Sequence, residues 1–238
     1  MSNNYFRFKQ FTVWQEKTAM KVGTDGVLLG VLAHCASTPK RVLDIGTGTG
    51  LVALIVAQRF TEALVDAVEI DAQASVQATE NVAASPFADR INVINTDICA
   101  FRPPTKYDLI VCNPPYFVNS LLNPDPQRAQ ARHTIALTFS QLACSAAKLL
   151  NPSGEFAVVL PADMLGEFVK CCLSEDLHMV SQVSIKTTPR KPSKRVVAHF
   201  SFDKNKKTEV ETLVIESSPM VYTPEFDNLI HDFYLDRQ

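Results

Sequence analysis

Several things are missing from this 238-residue sequence, and each absence closes off a class of protein. Its six cysteines, at 35, 99, 112, 144, 171 and 172, form no C-x-x-C pair, and no histidine stands at metal-ligand spacing. Neither a metal site nor a disulfide framework is therefore expected. The cysteines read as small buried hydrophobes of a protein kept in a reducing cytoplasm. The opening stretch MSNNYFRFKQF lacks the apolar core and cleavage site of a signal peptide. No apolar run approaches the ~20 residues that cross a bilayer, so no membrane contact is expected. Neither charge sign dominates: the formal net charge is -2, which argues against a histone-like binder while leaving local patches open. No internal repeat is visible, and nothing marks an obligate protein partner.

What is present is the make-up of a globular chain, 46% hydrophobic and 20% charged, enough to bury one sizeable core. One domain is expected over residues 1–238, divided into a segment 1–40 bordering the ligands, a core 41–161, and a C-terminal hairpin and helix over 162–238. From residue 41 onward, β-branched apolar runs alternate with longer helical stretches, a rhythm that predicts an α/β fold with a largely parallel sheet and right-handed crossovers. Strands are expected at Arg41–Gly46, Leu64–Ile70, Ile91–Asp97, Tyr107–Asn113 and Glu155–Leu160. Helices are expected near Leu51–Arg59, Ala72–Ala84, Phe139–Leu149 and Ala162–Leu173. Val180–Thr187 and Arg195–Asp203 alternate polar and apolar residues as a hairpin on the sheet edge would. A last helix should start after Thr223, with Pro224 at its first position and Phe226, Leu229, Ile230 and Phe233 on one face.

The first expected strand runs into Asp44-Ile-Gly-Thr-Gly-Thr-Gly50 and then a helix. Glycines at 46, 48 and 50 allow backbone to approach a ligand closely at a helix N-terminus, where free N–H groups favour an anionic or electron-rich partner. The dinucleotide fingerprint wants its third small residue at position 51, which is Leu; a G-x-G-x-G loop suits S-adenosylmethionine better. Glu69 closes the second strand, where a carboxylate can accept both ribose hydroxyls. Asp97 closes the third, within reach of the exocyclic amine of an adenine ring.

Val111-Cys-Asn-Pro-Pro-Tyr-Phe117 then ends a buried strand with an amide, two imino acids that cannot donate to a ladder, and two rings. The glycine loop followed some sixty residues later by Asn113-Pro-Pro-Tyr116 resembles the class I S-adenosylmethionine-dependent methyltransferases that modify a planar amide or amine nitrogen, over roughly residues 20 to 165. The resemblance implies a Rossmann-like fold, helices on both faces of a seven-stranded, mostly parallel sheet with an antiparallel edge hairpin. An adenine NH2 is a poor nucleophile whose two N–H donors need acceptors. The Asn113 side-chain oxygen and the Pro114 carbonyl, stiffened by the proline pair, would take one each and turn the lone pair toward the sulfonium methyl. Tyr116 would stack on the extruded base, with Pro115 and Phe117 bordering it.

The flanks narrow the substrate. Phe6-Arg-Phe-Lys-Gln-Phe11, Met20-Lys-Val-Gly-Thr-Asp-Gly-Val-Leu-Leu-Gly30 and Arg128-Ala-Gln-Ala-Arg132-His133 resemble the bacterial tRNA1(Val) adenine-37 N6-methyltransferases, extending the likeness over nearly the whole chain. The resemblance implies a tRNA partner and places Lys21, Thr24 and Asp25 at the cofactor's methionine end, while Val27-Leu-Leu29 reads as helix core. Lys186, Arg190, Lys191, Lys194 and Arg195, with Arg128 and Arg132, would meet RNA phosphates. The long polar stretch Val118–Thr134 is expected to order on RNA. A protein-glutamine methyltransferase, or one acting on rRNA or DNA base amines, shares the same acceptor chemistry; the glutamine enzymes carry a helical domain before the glycine loop, for which about forty residues are too few.

Overall fold

In the computed structural model, which describes residues 3–18, 21–115 and 137–235, the chain opens with a small antiparallel hairpin, β1 (Tyr5–Arg7) and β2 (Thr12–Trp14), and a helix, α1 (Thr24–Leu32). The alternating core follows as β3 (Arg41–Ile45), α2 (Leu51–Arg59), β4 (Leu64–Glu69), α3 (Ala72–Ala83), β5 (Ile91–Asn95) and β6 (Tyr107–Cys112). After it come α4 (Phe139–Leu149), β7 (Leu150–Pro161), a single 3-10 turn at Ala162–Met164 and α5 (Leu165–Leu173). The chain continues through β8 (His178–Lys186), β9 (Arg195–Ser201), β10 (Glu209–Val214), a small hairpin of β11 (Glu216–Ser218) and β12 (Val221–Tyr222), and α6 (Pro224–Ile230).

Eight strands form the central sheet in the order β10-β8-β9-β7-β6-β3-β4-β5. Within it β9 alone runs against its neighbours, so the doubly wound, mostly parallel architecture is present with helices on both faces. The expected count of seven strands needs one correction. The β8–β9 hairpin lies one place in from the edge, because Glu209–Val214 adds an eighth strand parallel to β8. An edge strand is held by a single ladder and buries few side chains, so β10, exposed over its first four residues, leaves little hydrophobic pattern to read.

The expected core strands 41–46, 64–70, 91–97 and 107–113 overshoot at their carboxyl ends by one or two residues, where the backbone leaves the ladder for the ligand loops. β7 instead begins five residues early, at Leu150 beside Tyr107. The Asn151-Pro-Ser-Gly154 stretch looks like a turn in sequence. Gly154 lets it pass against β6, since a Cβ there would meet the Asp108 and Tyr107 carbonyls at 2.9 and 3.0 Å.

The parallel strands end on one rim, which carries Ile45, Glu69, Asn95, Cys112 and Pro161; the start of β9, at Arg195, pairs with Pro161 and so lies on it too. On one face, α1, α2, α6 and the N-terminal hairpin bury Phe8, Phe11, Leu29, Ile55 and Phe226. Val27 and Leu28 are core, as their run predicts. The first two helices touch so closely that a Cβ on Gly30 would stand 2.7 Å from Ile55 Cγ2. On the other face, α4 and α5 pack Leu142 and Phe168 over Phe156 and Phe200. The last helix matches its signal: the Thr223 hydroxyl accepts from Phe226 N–H at 3.2 Å, Pro224 opens it, and Phe226, Ile230 and Phe233 are buried.

Candidate functional site

The glycine loop leaves β3 with φ of +70° at Gly46, +57° at Gly48 and +83° at Gly50, left-handed values that favour glycine. Gly46 and Thr47 both donate to the Val68 carbonyl, at 2.9 and 3.1 Å, which latches the loop to β4. A Cβ at Gly46 or Gly48 would point into open space, with nothing within 4 Å. A side chain there would fill room that a ligand lying on the loop requires. At Gly50 such a Cβ would make ordinary contact with Ala78 of α3, at 3.6 Å, so this third glycine answers to its left-handed φ.

Glu69, at the end of β4, uses both carboxylate oxygens on backbone: Oε2 accepts from Gly48 N–H at 2.8 Å and Oε1 from Asp71 N–H at 2.9 Å. Each oxygen keeps a further lone pair for a ribose hydroxyl. Two residues absent from the sequence reading complete this corner. Asn95 Nδ2 donates to the Glu69 and Ile70 carbonyls, at 2.8 and 3.2 Å, clamping the strand end. Ile70 is 50% exposed directly after Glu69, an apolar face on a polar rim. The last carboxylate of the expected set, Asp97, lies two residues past β5. Its Oδ1 accepts from Cys99 N–H at 2.8 Å, so it shapes the following turn and presents its exposed carboxylate beside it.

Asp44 belongs to the inside of the loop. It is 1% exposed, and its Oδ2 accepts from the Thr47 hydroxyl at 2.6 Å and from Ala53 N–H at 3.1 Å. A direct ligand contact is closed to it, and it serves the cradle by bracing it. Burial pushes its carboxyl up to about 7, with the Glu69 charge adding to the rise and the two hydrogen bonds opposing it. This folded value lies above the ~3.9 of an unfolded aspartate, so between roughly pH 4 and 7 the folded protein holds more protons than the unfolded one. Stability from this group is present below that window and falls, by up to about 1.4 kcal/mol per pH unit, as pH rises through it. Asp44→Asn, which keeps an acceptor for the Thr47 hydroxyl, should flatten the decline. Thermal denaturation at stepped pH checks this, and parallel curves for the two proteins would place the titration elsewhere.

Asn113 is the first residue past β6, half-buried, followed by a buried Pro114 and an exposed Pro115. It stands on the same rim as the glycine loop because β6 pairs with β3, Cys112 opposite Ile45. α1 closes over it: a Cβ on Gly26 would lie 3.8 Å from Asn113 Nδ2 and 3.0 Å from Leu51 Cδ2. The Cys112 thiol beneath is driven far up by burial and by the charges of Asp44 and Glu69, so it stays neutral. Carboxylates around this rim suit a cationic sulfonium.

Thr24 and Asp25 begin α1, just before the Gly26 that packs beside Asn113, and Lys21 lies three residues ahead of Thr24. Lys21 and Thr24 are exposed. Arg195 is already engaged: its Nε donates to Asp25 Oδ2 at 2.7 Å and its Nη1 to the Lys194 carbonyl at 3.1 Å. A phosphate at Arg195 therefore competes with an ion pair that ties β9 to α1. Arg190, Lys191 and Lys194 are exposed at the hairpin tip on the rim, with Lys186 at the end of β8. Tyr116, Phe117, Arg128, Arg132, His133 and the stretch Val118–Thr134 lie outside the described residues.

Two amides on α3 hold the N-terminal segment, and one of them, Asn81, ties it to the glycine loop. Gln77 Oε1 accepts from the N–H groups of Glu16 and Lys17 at 3.1 and 3.2 Å. Asn81, fully buried, donates to the Trp14 and Thr49 carbonyls, each at 2.8 Å, and accepts from Trp14 N–H at 2.9 Å. The available signal is their spacing: they fall four apart among Ala74, Ala78 and Val82 on the face that α3 buries.

Residues 17–187 match the family model described as a methyltransferase small domain. A tRNA1(Val) (adenine(37)-N6)-methyltransferase of Phocaeicola vulgatus is 50% identical over 99% of this chain and 100% of its own length. Proteins of the same name from Bacteroides thetaiotaomicron and Aeromonas salmonicida are 47% and 44% identical, with 99% and 98% of each chain covered. Among solved structures, a predicted O-methyltransferase of Agrobacterium tumefaciens superposes with a TM-score of 0.68 at 19% identity, over 90% of this chain and 99% of that one. A glycopeptide N-methyltransferase complexed with S-adenosyl-L-homocysteine superposes at 0.53 and 12% identity, over 70% and 84%. Both structural likenesses speak for the fold.

Proposed function

Since the chain belongs to the methyltransferase small-domain family and, within it, to the tRNA1(Val) (adenine(37)-N6)-methyltransferases, we propose that it transfers a methyl group from S-adenosylmethionine to N6 of adenine 37 in tRNA1(Val). The observation that carries this reading is the joining of near-full-length identity to one rim on which Asn113 stands beside the glycine loop. S-adenosylmethionine, when bound, supplies an electrophilic methyl on a positively charged sulfur. Gly46 and Gly48 leave the room it needs, Glu69 offers lone pairs to its ribose, and exposed Ile70 offers an apolar surface to its adenine.

The protein's own part in transfer is to hold the acceptor nitrogen. The Asn113 side-chain oxygen and the Pro114 carbonyl each accept one N–H of the substrate amine, which withdraws its lone pair from the ring and aims it along the reaction axis. Positioning and fixed dipoles do the work, and no base is needed before attack. Burial of Pro114 and the α1 packing over Asn113 keep both acceptors from turning.

The protein-glutamine reading gives the cations of the β8–β9 hairpin no role, and the likeness to the tRNA enzymes runs through that hairpin. No helix among the described residues is long and apolar enough to cross a membrane, and no metal-holding group of histidine, cysteine and acids occurs among them. The six cysteines are free thiols, which suits a cytoplasmic site of action. Incubation of bulk tRNA with protein and labelled cofactor, followed by mass mapping, should place the label on a single adenine at position 37. Label in protein, or none in tRNA, would overturn the assignment.

A further inference from the structure

A second surface of this protein lies away from the methyl-transfer rim. Parallel strands are usually joined by a crossover helix, yet the connection from β5 to β6, residues 96–106, holds two overlapping turns, closed by Ala100 N–H on the Asp97 carbonyl and Phe101 N–H on the Ile98 carbonyl, then Pro103 and Pro104. An open groove of about 800 Å³ lies between this connection and α4, outside the buried sheet face, with Glu175 beyond the end of α5 as its remaining wall. Its upper end, at Ile98 and Ser140, adjoins Asp97 and the rim; its lower end, at Lys106 and Lys148, lies where β6 and β7 begin. α4 has 11 residues, so the groove runs roughly 16 Å along that helix.

Three cations line it, Arg102, Lys106 and Lys148, against one acid, Glu175. All three are exposed, and none has an acidic partner among the described residues, whose ion pairs lie elsewhere. In a chain of net charge -2 such a grouping is a local field of opposite sign. Arg102 is also held in place: its Nη1 donates to the Cys99 and Phe101 carbonyls at 3.0 and 2.8 Å, leaving Nε and Nη2 to a ligand. Phe101 and Leu149 add apolar surface between the charges. An open trough with cations along its length does not enclose a small molecule, but it matches a strand that carries a phosphate at each step and an apolar sugar edge between.

We propose that this groove holds the phosphate backbone of the tRNA stem while a base from its loop occupies the site beside Asn113. The proposal rests on the tRNA reading above and adds to it a contact surface on the side of the sheet opposite α1. Such contacts position without reading sequence, so they set affinity and its salt dependence. The test is filter binding of a tRNA transcript across a salt series, with cofactor calorimetry as the measure of folding. For R102Q/K106Q/K148Q the dissociation constant should rise on the order of 10–100-fold at low salt. The slope of log affinity against log salt should become shallower by about 2–3, and the curves should meet at high salt. Glu175→Lys should do the reverse, tightening binding several-fold and steepening the slope by about 1. Unchanged affinity and slope in both variants, with wild-type protein still methylating tRNA, would overturn the groove assignment alone. A wild-type protein that neither methylates nor binds tRNA would overturn the functional reading and this one with it.

Discussion

Asn113→Ala is expected to slow methyl transfer by about 10²-fold or more while S-adenosylmethionine binds nearly as before. The size follows from what the side chain does. An exocyclic amine gives up its ring conjugation only if both N–H groups are held, and alanine leaves one of them with no acceptor at the moment charge moves off the nitrogen. The separation of effects follows from position. Asn113 stands at the end of β6, whereas the glycine loop proposed to cradle the cofactor is latched to β4 through Val68 and Glu69, a different strand. Single-turnover transfer to tRNA, read beside a calorimetric titration of the cofactor, separates the two halves. Equal losses in both measurements would move Asn113 to the cofactor side and remove the acceptor role.

The opposite pattern is expected at Glu69. Glu69→Ala should weaken S-adenosylmethionine by about 10²-fold, because it removes the oxygens proposed to accept the ribose hydroxyls and also strands the Gly48 and Asp71 N–H groups. Glu69→Gln should not restore binding. Both carboxylate oxygens face backbone donors, so an amide turns its NH2 toward one of them whichever way it is placed. Saturating cofactor should bring the transfer rate of both variants back toward wild type, since Asn113 and Pro114 are untouched. A rate that stays low at saturation would show that Glu69 acts on the acceptor half of the site.

The parts of this fold legible in the sequence are those where burial or capping is local. β3, β4 and β6 are buried apolar runs between turn residues, and the boundaries of α2 and α4 come out as read because Gly50 and Thr138 cap them at the point where each pattern begins. Asn113 and Pro114 were legible because prolines cannot continue a ladder. What escaped depends on partners distant in sequence. Asn95 and Asn81 work on backbone carbonyls 25 to 67 residues away. Arg195 is matched by Asp25 from 170 residues earlier. The loop residue Asp44 is an ordinary candidate ligand in sequence, and only the fold turns it inward onto Thr47 and Ala53. The edge strand β10 and the three-residue strands of the N-terminal hairpin bury too little to leave a period.

The Asn81 amide spends both its protons and its oxygen on two separate stretches of chain, the Trp14 strand and the Thr49 turn. Aspartate could offer neither proton, and leucine nothing at all. The N-terminal hairpin and the glycine loop thus share one pin. Loosening the Trp14 strand therefore takes two of that side chain's three bonds away and leaves the Thr49 turn held by the third.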